Sequence, residues 1–250
     1  MSGHSKWSTI KRKKSANDAR RGKIFTRLGR EITIAARQGG DPETNFALRL
    51  AVDRAKAANM PKDNIERAIK RGTGELKEGE TLEEILYEAY APHGVAILVE
   101  VLTDNRNRTL AEIKHVLNKY GGNMAEPGSV GWQFEQKGYI TIPAVKQNFE
   151  EVFMIAADAG ADDASDGEDL IEVVTPREGL QRVEETLRAS GVAIDEARLD
   201  WIPKVPVDLD QEQALKVMTV IEALEDLDDT QTVYSNLNVT DELMAAFEVA

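Results

Sequence analysis

At 250 residues and 42% hydrophobic content the chain can bury a sizeable core, and with no cysteine it excludes disulfides, thiolate metal sites and thiol catalysis. No run approaches the roughly 18 apolar residues of a membrane span, and no apolar segment follows the first charged residues as a secretory signal requires, so a cytoplasmic protein with no membrane partner is expected. The net charge of -13 averages two opposite parts: residues 1–75 hold 18 Lys and Arg against 8 Asp and Glu, and residues 76–250 hold 13 against 36, so a polyanion would meet one end only.

From Asp18 to Arg37 the residues Ile24, Phe25, Leu28, Ile32, Ala35 and Ala36 fall on one side at about 100° per residue, which predicts an amphipathic helix. Arg20, Lys23, Arg27, Arg30 and Arg37 gather on the opposite side, Ile34 is the one apolar intruder there, and Gly39-Gly40 ends the element. A second helix is expected to open at Asp41-Pro42-Glu43, capped by Asp41, and to run to Asn59. A third begins near Pro61, buries Ile65, Ala68 and Ile69, and stops at Gly72; the three helices make a small basic bundle. The Gly-rich, charged stretch 72–80 reads as a linker.

Strand rhythm follows. Ile85 to Tyr90, a turn at Pro92-His93-Gly94, and Val95 to Thr103 predict a β-hairpin. Thr109 and Glu112 form a capping box for a helix with Leu110, Ile113, Leu117 and Tyr120 on its apolar side, closed by Gly121-Gly122. Ser129 to Phe134 is expected as another strand. After Lys137-Gly138 come a strand (Tyr139 to Ile142), a helix (Phe149, Val152, Phe153 and Ala156, ending at Gly160) and a strand (Leu170 to Thr175). A second helix, capped at Thr175-Pro176 with Glu178 and carrying Leu180, Val183 and Leu187 to Gly191, leads to a strand over Ala193 to Ile202. A strand-helix-strand unit used twice suits a ferredoxin-like layer of helices on an antiparallel sheet. Beyond Pro203 to Pro206, Leu215, Met218, Ile221 and Leu224 mark a helix and Gln231 to Leu237 a last strand. One helix and one strand cannot stand alone, so they are expected to complete the sheet begun near residue 80. The fold class is therefore α+β in three domains, an N-terminal helical bundle plus two ferredoxin-like α+β domains: a basic three-helix domain 1–75, a discontinuous α+β domain 80–135 with 207–250, and an inserted ferredoxin-like α+β domain 136–205.

The leading candidate site is the basic cluster Lys6, Lys11, Arg12, Lys13, Lys14, Arg20, Arg21 and Lys23, with Trp7 inside it, continued along the helix by Arg27 and Arg30. Lys and Arg neutralise phosphates and release counterions, and an indole can stack on an exposed base. The alternatives are a solvated charged face or a basic end docked on the chain's own acidic body, and for Trp7 an anchor packed on the helices. A basic, Ser-containing N-terminus also imitates an organelle transit peptide, but here the basic face continues into a capped bundle. A second candidate is the loop Asp104-Asn105-Arg106-Asn107-Arg108-Thr109, where Arg106 and Arg108 beside free amides could hold a phosphate; alternatively its polar residues serve turn and cap roles while the arginines pair with carboxylates. The acidic run Asp158 to Asp169 fails an EF-hand frame, with Ala164 and Val173 where carboxylates belong, and reads as a solvated loop. His4, His93 and His115 lie far apart, so no metal site, cofactor or catalytic group is expected.

Together, Gly3-His4-Ser5-Lys6-Trp7, Arg21-Gly22-Lys23-Ile24-Phe25 and Asp104 to Thr109 resemble the YebC family. Asn59-Met60-Pro61, Tyr87-Glu88 before Pro92-His93-Gly94, Gly121-Gly122-Asn123 and Leu224-Glu225-Asp226-Leu227-Asp228-Asp229 extend the resemblance along the chain. It implies a helical first domain and two α+β domains in a transcriptional regulator that binds DNA. Relatives that include a mitochondrial translational activator imply instead RNA or the ribosome, with relief of stalling at proline-rich stretches. The family supplies no catalytic residues, so the contact set Lys6, Trp7, Lys11, Arg12, Lys13, Lys14, Arg20, Lys23, Arg27, Arg30, Arg106 and Arg108 rests on charge and motif. The acidic domains are left to contact protein. A metal-dependent nuclease is the third alternative.

Overall fold

Three helices open the described part of the chain. The computed structural model describes residues 18–76, 82–145, 147–167 and 169–249. Lys6, Trp7, Lys11, Arg12, Lys13 and Lys14 lie outside the described residues, as do residues 77–80 of the expected linker; of Arg20, only the backbone is described. Helix α1 (Asp18–Ala35) tightens into a 3-10 turn at Ala36–Gln38. The start expected at Asp41 is displaced, because Asn45 outcompetes it as the cap. Its side-chain oxygen accepts from the Leu48 N–H at 3.1 Å, and its amide donates to Ala35 O and Gly39 O, both at 2.8 Å. Asp41 instead holds a turn, accepting from the Glu43 N–H at 3.0 Å. Helix α2 (Phe46–Ala57) therefore begins late, and Asn59, at φ 58°, takes the left-handed conformation that asparagine tolerates before helix α3 (Lys62–Gly72).

Strands β1 (Glu83–Tyr90) and β2 (Ala96–Thr103) pair antiparallel, with Glu83 opposite Thr103 and Tyr90 opposite Ala96. Helix α4 (Arg106–Tyr120) starts before the expected capping box. Asn105 is its cap, accepting from the Arg108 N–H at 3.1 Å, while Thr109 is buried inside the first turns. Gly121, at φ 80°, closes the helix in the left-handed region that glycine occupies without strain. A two-residue strand β3 (Asn123–Met124) then pairs with β1. The strand expected over Ser129 to Phe134 is instead a turn containing a 3-10 segment, Gly131–Gln133, and strand β4 (Phe134–Pro143) begins where that expectation ends. Glu88 is the cause: its carboxylate accepts from the N–H groups of Gly128, Val130 and Gly131 at 2.6, 2.5 and 2.8 Å, taking donors that a strand would offer to a neighbour. Burial alone would raise the Glu88 pKa, but these three donors outweigh it and hold the carboxyl below its ordinary value.

The remaining elements are helix α5 (Phe149–Asp158), strands β5 (Asp163–Asp166) and β6 (Leu170–Pro176), helix α6 (Leu180–Ala189), strand β7 (Glu196–Pro203), helix α7 (Gln211–Glu225), strand β8 (Thr230–Ser235) and helix α8 (Asp241–Val249). Strand β5 corrects the reading of the acidic run as a loop: Asp163 to Asp166 pair with Val174 to Ile171 at the edge of a sheet, leaving the outer carboxylates in water.

Two compact units result. One holds Ala35–Leu76 and Gln136–Trp201; the other holds the described residues of Ser2–Ile34, Lys77–Glu135 and Ile202–Ala250. In the first, the sheet order β5-β6-β4-β7 is the ferredoxin-like arrangement, with α5 and α6 packed on Ile140, Ile142, Ile171 and Val173. Leu50 of α2 joins that core, and Arg49 ties α2 to α6 through Glu185 at 2.8 Å. In the second, the order β3-β1-β2-β8 is antiparallel, and α4 and α7 cover Ile97, Val99, Val101 and Val233. The mixed helix-and-sheet class, with two antiparallel sheets and leading helices, agrees with the sequence reading.

Gly138 lies closely packed against Thr175 and Leu180 in the first unit. A Cβ placed there would meet Thr175 Oγ1 at 2.2 Å and Leu180 Cβ at 2.8 Å. Gly138→Ala is expected to cost about 1–3 kcal/mol through overpacking. A thermal melt reads this as a lower midpoint, and an unchanged midpoint would contradict the packing account.

Candidate nucleic-acid interface

A helix C-terminus presents carbonyls that have no intrahelical partner, and cations placed there satisfy them. In the second unit that is where the described basic stripe of α1 goes. Lys23, Arg27 and Arg30 are spaced i, i+4, i+7 and so share one face. Lys23 Nζ donates to Asp226 O and lies 3.5 Å from the Asp228 carboxylate. Arg27 donates to Glu225 O and, at 3.2 Å, to Leu227 O. Arg30 donates to Leu102 O at 3.2 Å, Asp228 O at 3.0 Å and Asp229 Oδ1 at 2.9 Å. Burial lowers the Arg27 pKa, against the opposing pull of Glu225, Asp226 and Asp228.

Asp229 anchors this arrangement. Its side chain is 1% exposed, and its Oδ2 accepts from Thr103 Oγ1 at 3.0 Å, Thr109 Oγ1 at 2.6 Å and Arg108 Nη2 at 2.7 Å. Arg108 also donates to Asp104 at 2.7 Å. Burial would push the Asp229 pKa up, but Arg108, the two threonine hydroxyls and the Arg30 charge prevail and hold it below the ordinary carboxylate value. The bonds to Asp229 and Asp104 raise the Arg108 pKa in turn. The polar loop after β2 and the acidic segment after α7 are thus one hydrogen-bonded cluster with the α1 stripe. Sequence presented them as separate motifs.

Lys23, Arg27, Arg30 and Arg108 accordingly have partners within the chain, whereas the Arg106 side chain is exposed beside the cluster. Sequence reasoning passed over a second group of cations. Arg67, Lys70 and Arg71 of α3 are exposed, and no carboxylate partner meets them among the described residues. Their signal was present: i, i+3, i+4 spacing opposite Ile65, Ala68 and Ile69. An aromatic was passed over as well. Trp132 is 67% exposed, with its indole N–H donating to Ser129 O at 2.9 Å and Lys204 Nζ donating to Trp132 O at 2.8 Å. Among the described residues no group of three or more His, Asp or Glu side chains is placed to hold a metal ion, and no helix is long and apolar enough to cross a membrane.

Two family models match the chain, one described as the TACO1/YebC protein N-terminal domain over residues 5–75 and one as the TACO1/YebC second and third domain over residues 82–237. A Thermotoga maritima protein named "Probable transcriptional regulatory protein" is 54% identical over 246 residues, covering 98% of this chain and 96% of that one. A Chlorobaculum tepidum protein with the same kind of name is 50% identical over 250 residues, covering 99% of each. Among solved structures, a conserved hypothetical protein from Aquifex aeolicus is similar with a TM-score of 0.83 and 48% identity, covering 90% of this chain and 93% of that chain.

Proposed function

We propose that this chain, which belongs to the TACO1/YebC family, is a non-enzymatic regulator of gene expression that binds the phosphate backbone of a nucleic acid through its basic N-terminal segment. The observation that carries this reading is the segregation of charge, with 18 Lys and Arg against 8 Asp and Glu in residues 1–75. The names of the curated relatives support regulation of transcription, and a role in transcription makes duplex DNA the first target of this reading. Direct contact is assigned to Lys6, Lys11, Arg12, Lys13, Lys14 and Arg20, with Trp7 available for stacking and Arg106 as an outlying cation. Lys23, Arg27, Arg30 and Arg108 are assigned to seating α1, the helix that carries the basic segment.

A ribosome-associated translation factor is the second reading, favoured by the excess of carboxylates in residues 76–250, which suits basic protein patches beside a structured RNA. Binding of the full-length protein to duplex DNA, structured RNA and purified ribosomes, measured across a salt series, tests both. Capture of DNA at physiological salt supports transcription. Co-sedimentation with ribosomes and no DNA capture supports translation. No binding to any of the three overturns the nucleic-acid reading, and cleavage of the nucleic acid on adding a divalent metal overturns the non-enzymatic one.

A further inference from the structure

We propose that the outer face of α3, formed by Arg67, Lys70 and Arg71, is a second phosphate-backbone contact surface for the polynucleotide; this rests on the nucleic-acid reading above.

At 100° per residue the three side chains span about 100° of the helix circumference. Buried Ile65 and Ala68, with the half-buried Ile69, occupy the opposite side. The cations are therefore aimed away from the core by the same periodicity that buries the apolar residues. Arg67 and Arg71 are separated by one turn, about 6 Å along the axis, so the stripe presents its charges in a row rather than at a point. The other cations of α2 and α3 behave differently. Arg49 bonds Glu185, Lys56 lies 3.7 Å from Asp53, and Lys62 lies 3.5 Å from Glu66. Acids on α3 sit in its first half, Asp63 in the first turn and Glu66 beside Lys62, which leaves the second half uniformly positive.

A structural explanation covers part of this. Lys70 and Arg71 lie in the last turn, where cations complement the helix dipole. Arg67 stands a turn earlier and gains nothing from that effect. An exposed surface lysine or arginine with a nearby carboxylate is ordinary, but three adjacent cations on a chain of net charge -13 are a concentration that a polyanion recognises. Nothing on this face reads bases, so the contact adds affinity and not sequence preference.

The test compares full-length wild type with the neutral triple variant Arg67→Gln, Lys70→Gln, Arg71→Gln. A control loses the same charge elsewhere through Lys114→Gln, Lys119→Gln and Lys216→Gln. Binding to a duplex DNA and to a structured RNA is titrated against salt, and circular dichroism confirms that each variant is folded. The expected result is that only the α3 variant loses affinity, on the order of tenfold or more at moderate salt, with the slope of log K against log salt shallower by about 2 to 3. An unchanged slope, or an equal loss in the control, overturns the surface while wild-type binding leaves the parent reading intact. Absence of wild-type binding overturns both.

Discussion

Asp229→Ala is expected to destabilise the protein by about 3 kcal/mol, the cost of removing one partner from a buried ion pair. A thermal melt reads this as a midpoint lower by roughly 6–12 °C for a chain of this size. The magnitude follows from what the carboxylate serves. Arg30 and Arg108 converge on it from two helices, and the hydroxyls of Thr103 and Thr109 point at the same oxygen. Alanine leaves Arg30 and Arg108 without their shared carboxylate and the buried Thr103 hydroxyl without its acceptor, while Thr109 keeps Asn105 O. Asp229→Asn separates charge from shape, since it keeps the volume and one acceptor oxygen. Because the folded pKa of Asp229 is depressed, its stabilisation is complete above the unfolded value of about 4 and is lost as pH falls through the folded value. The stability gap between wild type and Asp229→Asn is therefore widest above about pH 4 and closes in more acidic solution. A gap that stayed constant across that range would show that the carboxylate charge contributes nothing.

Reversing the charge of Lys11, Arg12, Lys13 and Lys14 to glutamate is expected to produce the largest loss of nucleic-acid binding. Four phosphate contacts removed from a duplex should flatten the salt slope by about 3 to 4, and repulsion by the new carboxylates adds to the loss. The weakening should be uniform across sequences, since phosphate contacts carry no base information. Electrophoretic mobility or fluorescence anisotropy across a salt series checks it. Retained affinity with an unchanged slope would remove these residues from the contact set. The corresponding reversal at Lys23 and Arg27 should register in thermal stability before it registers in binding, because both side chains are already bonded to Glu225, Asp226 and Leu227 carbonyls.

The long periodic elements were readable because their cause is local. Leu180, Val183 and Leu187 show the buried face of α6, and the Gly121 stop needs only a left-handed residue at a helix end. What escaped depended on distant partners. Asn45 prevails over Asp41 because the carbonyls of Ala35 and Gly39 stand where its amide can reach them. Strand β5 was hidden because Asp163 and Asp166 carry charge on an edge strand, where charge is tolerated and even protective. Residues 129 to 133 have the composition of a strand, but Glu88, some forty positions earlier, claims their N–H groups. The candidate site followed the same division. The α1 stripe was visible from its spacing, but its acceptors lie about two hundred residues away, and a single sequence carries no signal for that pairing.

Most of the acceptors that seat α1 are main-chain oxygens at the end of α7. Such oxygens gain no proton in any physiological solution, and no amino-acid replacement deletes them. The helix is thus positioned by the path the backbone takes after Glu225 more than by the identity of the side chains along it. Asp228, through its carboxylate near Lys23, and Asp229, through Arg30, are the exceptions among the described residues, the points on that seat where a change of residue reaches the helix directly.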